Sequence, residues 1–137
     1  MWTPKQGTPG SAGYDLSAGE DVTLLPFKPA LVKLGFSAAI PSGYTIMIVP
    51  RSGNALKKGW LIPNSPGIVD ESYRGEYGVL LTWIPEPGIT GYLHVSKGDR
   101  IAQAVLVKYE TQEWVETNEL DQTERGEGGF GSTGTRA

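Results

Sequence analysis

Residues 31–49 read LVKLGFSAAI-PSG-YTIMIV, two short apolar runs divided by Pro41-Ser42-Gly43. Proline removes a backbone donor and glycine accepts positive φ, so these three residues make a turn between two strands. The arrangement recurs downstream. Gly78 to Ile84 is β-branched and aromatic, and Ile89 to Val95 and Arg100 to Tyr109 are two further runs divided by Lys97-Gly98-Asp99. In the last of these, Ile101, Val105, Val107 and Tyr109 fall on one side and Leu106 on the other, a pattern that predicts cover on both faces. Trp114 to Leu120 is expected to close the folded body. The one plausible helix is Gly53 to Trp60, little more than two turns, and no apolar stripe of helical period lasts three turns. The 19 glycines and 10 prolines are scattered between the apolar runs rather than collected in a linker. Many short strands joined by tight turns must cover their apolar faces with one another, so the expectation is an all-β sandwich or barrel.

A chain of 137 residues suffices for one domain and is too short for two ordinary ones. Cysteine is absent and there is a single histidine, His94, in a run that reads as strand. Disulfide scaffolds, thiolate metal sites and multi-imidazole zinc sites are thereby excluded, and His94 reads as structural or surface. The formal charge is -3 with both signs interspersed, and no basic stripe tracks a nucleic-acid backbone. The opening MWTPKQGTPG lacks the apolar region of a signal peptide, and no run approaches the roughly 18 apolar residues of a membrane span. The expectation is a soluble cytoplasmic protein that binds neither nucleic acid nor membrane.

Three features can carry chemistry. Pro50-Arg51-Ser52-Gly53 ends an apolar run and enters the short helix. Arg51 offers a planar fork of donors for phosphate oxygens and Ser52 a hydroxyl, although an R-S-G sequence also makes a simple turn. Next, Gly67 to Gly75 sets Asp70 directly after Ile68-Val69; at the margin of the core such a carboxylate can serve as a base for water, or merely make a turn hydrogen bond. Finally, the tail from Glu124 to Ala137 holds five glycines and one large apolar residue, Phe130. It cannot form a core of its own, and reads either as a disordered end or as a mobile lid whose backbone N–H groups nest around phosphate oxygens. Phe130 can offer a ring face to a base. Together these point to a nucleotide polyphosphate ligand without naming the base.

Five segments resemble the motifs of the trimeric dUTPase family, in that family's order. They are Ala12-Gly13-Tyr14-Asp15-Leu16, Pro50-Arg51-Ser52-Gly53, Gly67 to Gly75, Gly98-Asp99-Arg100-Ile101-Ala102-Gln103, and Arg125 to Gly134. The resemblance spans nearly the whole chain. It implies a jelly-roll-like β-barrel of the β-clip kind over residues 1–124, with residues 125–137 as a flexible arm closing over the active site. It also implies a homotrimer whose active sites draw on all three subunits, and Mg2+ on the triphosphate. The implied activity is dUTP diphosphatase, cleaving dUTP to dUMP and pyrophosphate. By the same resemblance Asp70 activates the water that attacks the α-phosphorus in line, and Asp15 organises the water shell of the metal. Arg51, Ser52 and Gln103 contact phosphates. Asn64, with the nearby backbone at Gly67, reads the uracil edge. Tyr73 packs under the deoxyribose and leaves no room for a 2′-OH. Phe130 and Gly131 cover the uracil, and Arg125, Ser132 and Thr133 close over the phosphates.

Two departures stand out. Asn54 occupies a position where the family more usually has an apolar residue, and Pro63 and Pro66 bracket Asn64 with a stiffer turn. Tyr14 and Glu71 receive no direct role, and read as fold support or as solvent-exposed residues. Two other functions fit the same motifs less well. A dCTP deaminase needs a carboxylate beside the pyrimidine and usually has a different phosphate motif. A noncatalytic dUTP-sensing regulatory protein should lack Asp70, Asp15 or the arm, and this chain keeps all three.

Overall fold

The computed structural model describes residues 3–132 and 134. In chain order it contains β1 (Lys5–Gln6), β2 (Gly13–Ser17), β3 (Val22–Leu24), β4 (Ala30–Lys33), β5 (Tyr44–Val49), α1 (Ser52–Lys58), β6 (Trp60–Leu61), β7 (Gly67–Val69), β8 (Gly78–Trp83), β9 (Leu93–Val95) and β10 (Arg100–Lys108). Every strand pairing is antiparallel. The strands make a five-stranded sheet in the order β1-β2-β10-β5-β7, a three-stranded sheet β4-β8-β6 and a two-stranded pair β3-β9.

The three sheets face one core. The large sheet contributes Leu16, Ile48, Ile101 and Ala102; β4-β8-β6 contributes Val32, Val79, Leu81, Trp60 and Trp83; the pair adds Leu24 and Val95. The all-β expectation is met, but no sheet closes into a barrel. The large sheet ends on β1 at one side and β7 at the other. Both edge strands are only two and three residues long, too short to carry a ladder round to the next sheet. The fold is therefore three open sheets wrapped round a shared interior.

Individual elements depart from their sequence signals where turns intervene. Tyr44–Val49 is a strand over the whole apolar run, following a turn at Gly43 with φ 79. The preceding run keeps only Ala30–Lys33 as strand, because Gly35 at φ 75 turns the chain out of the ladder. The short strands β1, β2 and β3 had no clear apolar run to announce them. In β10 the register shifts between Arg100 and Ala102. That bulge lets the consecutive Ile101 and Ala102 both turn inward, and beyond it Ala104 is buried while Leu106 is 47% exposed, so the strand is not covered on both faces. Trp114 to Leu120 does not close the body: Trp114 is 98% exposed and the segment holds no strand. His94 lies exposed on β9, paired with Thr23.

The helix α1 ends at Gly59, whose φ of 63 supplies the left-handed cap. A side chain there would strike the Ile84 carbonyl. Lys57 and Lys58 in the last turn suit the negative end of the helix dipole. Among the described residues no helix is long and apolar enough to cross a membrane.

Candidate active site

The first cluster gathers where β5 runs into α1. A cavity of about 240 Å³ is lined by Gly13, Asp15, Arg51, Ser52, Arg100 and Gln103, with Gly7, Ser11 and Gly53 at its rim. Gln103 sits on β10 opposite both Asp15 of β2 and Val49 of β5, so the sheet register brings three of the five motifs together. Its amide donates to the Pro50 carbonyl at 2.9 Å, and the missing side chain at Gly13 makes the room that the amide occupies. Asp15 is largely buried and bridges two guanidinium groups. Its Oδ1 lies 2.8 Å from Arg51 Nε and its Oδ2 3.0 Å from Arg100 Nη1. Arg100 had been assigned no role from sequence; the fourth motif contained it, but nothing in the spacing foretold a contact with Asp15.

Behind this cluster Asn54 is buried within α1, and its amide donates to the Arg100 carbonyl at 2.7 Å. A buried amide is tolerated only with such a partner. The departure from an apolar residue thus ties the helix to the start of β10, where the register shifts.

The second cluster lies where β7 ends. A cavity of about 210 Å³ is lined by Ile48, Ile68, Val69, Asp70, Tyr73, Glu76, Tyr77 and Gly78. Asp70 is exposed and makes no side-chain hydrogen bond among the described residues, so the partial burial expected at the core margin is not found in the single chain. Ile68 is itself 55% exposed and does not anchor it. Tyr73 folds back over Gly75, donates its hydroxyl to the Glu76 carbonyl at 3.0 Å, and packs against Tyr77 with ring centroids 6.0 Å apart. Tyr77 is buried with its hydroxyl unpartnered, and desolvation raises its pKa above the usual tyrosine range. Glu71 braces the loop, a contact the sequence did not specify: its carboxylate accepts the Gly43 N–H at 2.6 Å. Tyr109 also has a raised pKa, first through desolvation and then through the nearby negative charge of Glu71.

Asn64 is exposed at the approach to β7, its amide nitrogen 3.3 Å from where a side chain at Gly67 would begin. Gly67 pairs with Ile48 and Val69 with Ile46. Asp70 therefore follows the β5 end near Thr45, whereas Arg51 leaves the opposite end, about 20 Å away at the rise of a strand. The structure thus unites Asp15, Arg51, Ser52 and Gln103, and separately Asp70 and Tyr73, but does not bring the two sets together within one chain.

The tail forms a third, separate group. Its hydrogen bonds among the described residues are local turns, such as Arg125 Nε to the Gly128 carbonyl at 2.9 Å and the Ser132 N–H to the Gly129 carbonyl at 3.0 Å. Phe130 is fully exposed at φ 49, followed by Gly131 at φ 88. Thr133 lies outside the described residues.

Among the described residues no three His, Cys, Asp or Glu side chains cluster as a metal cage. Asp15 is the sole carboxylate lining the first cavity. One carboxylate fits a hydrated Mg2+ held mainly by phosphate oxygens and does not fit a cation bound by protein alone.

Comparison with known proteins agrees with this geometry. The sequence profile of the dUTPase family matches residues 1–134. A deoxyuridine 5′-triphosphate nucleotidohydrolase from Helicobacter pylori (strain P12) is 45% identical over 131 residues, covering 96% of this chain and 88% of the relative. One from Fusobacterium nucleatum subsp. nucleatum is 47% identical over 133 residues, with the same coverage of 96% and 88%. Among solved structures, a point mutant of the dUTPase of Staphylococcus bacteriophage 80alpha, with dUpNHpp, superposes at a TM-score of 0.90. It is 29% identical and the match covers 98% of this chain and 93% of that one. A mutant dUTPase from phage phi11 of S. aureus, described with a structural Mg(II) ion, gives a TM-score of 0.76 at 26% identity, covering 87% and 91%.

Proposed function

The chain belongs to the dUTPase family, and from that membership we infer that it hydrolyses dUTP to dUMP and pyrophosphate. The observation that carries the chemistry is the first cavity, where Arg51, Ser52 and Gln103 converge around Asp15 at the start of a helix. These donors suit a polyphosphate, and Arg51 and Gln103 are held by Asp15 and the Pro50 carbonyl before any ligand arrives.

In the reaction we propose, Asp70 orients a water and takes its proton as the oxygen attacks the α-phosphorus in line. The bond from that phosphorus to the bridging oxygen breaks, and pyrophosphate leaves. Arg51 and Gln103 neutralise charge on the phosphoryl oxygens, with Ser52 next to the bridge. Asp15 would hold the water shell of a Mg2+ ion, which when bound would further neutralise the triphosphate. Asn64 and the Gly67 backbone read uracil. The Tyr73 ring, braced on Tyr77, supports the deoxyribose and occupies the space that a 2′-OH would need.

Asp70 and Arg51 stand at opposite ends of β5, so one chain cannot apply both to the same α-phosphate. This supports a homotrimer in which the second and third motifs of one site come from different copies. Residues 125–137 are then the arm that reaches a site and closes it, with Phe130 and Gly131 over the uracil and Arg125, Ser132 and Thr133 over the phosphates. The exposure of Phe130 and the local hydrogen bonds of the tail among the described residues agree with an arm whose partner is another copy.

Offering each deoxynucleoside triphosphate with Mg2+ and identifying the products tests the function. Selective release of dUMP and pyrophosphate from dUTP is expected. Formation of dUTP from dCTP would replace this reading with deamination.

A further inference from the structure

Asp70 carries the base chemistry in the reading above, yet its carboxylate has no hydrogen-bond partner among the described residues. A base that nothing grips directly owes its aim to the backbone beneath it. That backbone is clamped by its neighbour. The Glu71 carboxylate accepts the Gly43 N–H at 2.6 Å through Oε2 and the Ser42 hydroxyl at 3.4 Å through Oε1, reaching across 28 residues to the turn that starts β5. Gly43 in turn accepts the Tyr109 N–H at 3.1 Å, which extends the clamp to the end of β10. On the other side Arg74 donates to the Glu71 carbonyl at 2.6 Å. The residue after Asp70 is thus held at both its side chain and its backbone.

We propose that Glu71 is a positioning residue that fixes the orientation of Asp70 by bonding its carboxylate to the Pro41-Ser42-Gly43 turn. The proposal rests on Asp70 being the base. A charge-assisted bond as short as 2.6 Å to a half-buried backbone donor is among the stronger hydrogen bonds a loop can make. Its loss frees the Asp70 backbone while leaving the uracil and phosphate contacts in place, so turnover should suffer and substrate affinity should not.

The test is a double-mutant cycle on dUTP hydrolysis in the full-length protein. Glu71→Ala is expected to lower kcat by about tenfold or more with KM changed less than about twofold, because small misplacements of a reacting group carry losses of that order. Glu71→Gln keeps a neutral acceptor for Gly43, and should lose only about threefold in kcat. In an Asp70→Asn background, Glu71→Ala should lower the residual rate by less than about twofold, since no base remains to be aimed. If Glu71→Ala does not fold, Glu71→Gln runs the same cycle. A Glu71 variant with parental kcat, or one that lowers the Asp70→Asn rate by the full factor, overturns the positioning role. Parental turnover by Asp70→Asn alone overturns the base assignment, and the positioning role with it.

Discussion

Asp15 and Arg51 are joined by a 2.8 Å contact from Oδ1 to Nε, which links the first motif on β2 to the second at the mouth of α1. The pair is largely screened from water, and Arg100 completes it from the fourth motif. An arginine held in this way is pre-aimed, and its remaining donors can take phosphate oxygens without first being ordered.

Replacing Asp15 with Asn leaves two guanidinium groups without their shared anion. The expected cost is about 1–3 kcal/mol of stability, between the values for exposed and buried pairs, because Arg100 is itself largely exposed. The Mg2+ concentration needed for half-maximal turnover should also rise, since Asp15 is the lone carboxylate of that cavity. Urea unfolding and a Mg2+ titration of kcat check the two effects separately. An unchanged Mg2+ requirement would remove Asp15 from the metal's water shell.

Asp70→Asn should nearly abolish turnover while dUTP still binds. General-base contributions of roughly 10²–10⁴-fold set the scale. Asp70 makes no side-chain hydrogen bond among the described residues, so stability should change little. Single-turnover hydrolysis alongside equilibrium binding measures both. Near-parental single-turnover hydrolysis would assign proton removal to another group.

How far the sequence disclosed this arrangement varies from element to element. Tyr44–Val49 was legible because its apolar run is uninterrupted and begins after a glycine turn. The helix was legible within two residues, although the expected end at Trp60 overran the Gly59 cap. The sheet edges were not. Whether β7 hands its ladder to another strand depends on long-range pairing that no local pattern encodes. The bulge at Arg100–Ala102 also broke the alternation read in β10, with the consecutive Ile101 and Ala102 both buried. The candidate site residues were named through motif resemblance, but their separation into two clusters follows from the β5-β7 register, Ile46 opposite Val69. Only the fold displays that register.

Tyr73→Ala should weaken discrimination between dUTP and UTP. The ring is braced by Tyr77 and tethered through its hydroxyl to the Glu76 carbonyl, so it forms a fixed wall rather than a mobile cover. Its removal opens space at the sugar, and the ratio of kcat/KM for the two nucleotides should fall by about tenfold or more, the scale of pocket-based discrimination. An unchanged ratio would mean that other groups exclude the 2′-OH.

Deleting residues 125–137 should leave the fold intact and greatly reduce hydrolysis. The described part of this segment buries no core residue, so the unfolding midpoint should barely move. Loss of even one oriented transition-state donor costs about 10²–10³-fold in other enzymes, and the proposed arm would supply several. Thermal unfolding paired with product analysis separates the two claims. Undiminished turnover by the truncated chain would refute the lid assignment.

The central claim is that one active site is assembled from different copies of the chain, and subunit mixing tests it most directly. Asp70→Asn and Arg51→Gln are each expected to be nearly inactive alone. Co-expressed in equal amounts and assembling at random on a three-fold axis, they should restore roughly one site in three within each mixed trimer, about one site in four over all trimers, by pairing an intact Asp70 with an intact Arg51 from a neighbour. The account predicts recovery of about a quarter of parental activity in the mixture. Activity no greater than the sum of the two inactive parents would contradict it, and would return both residues to a site within a single chain.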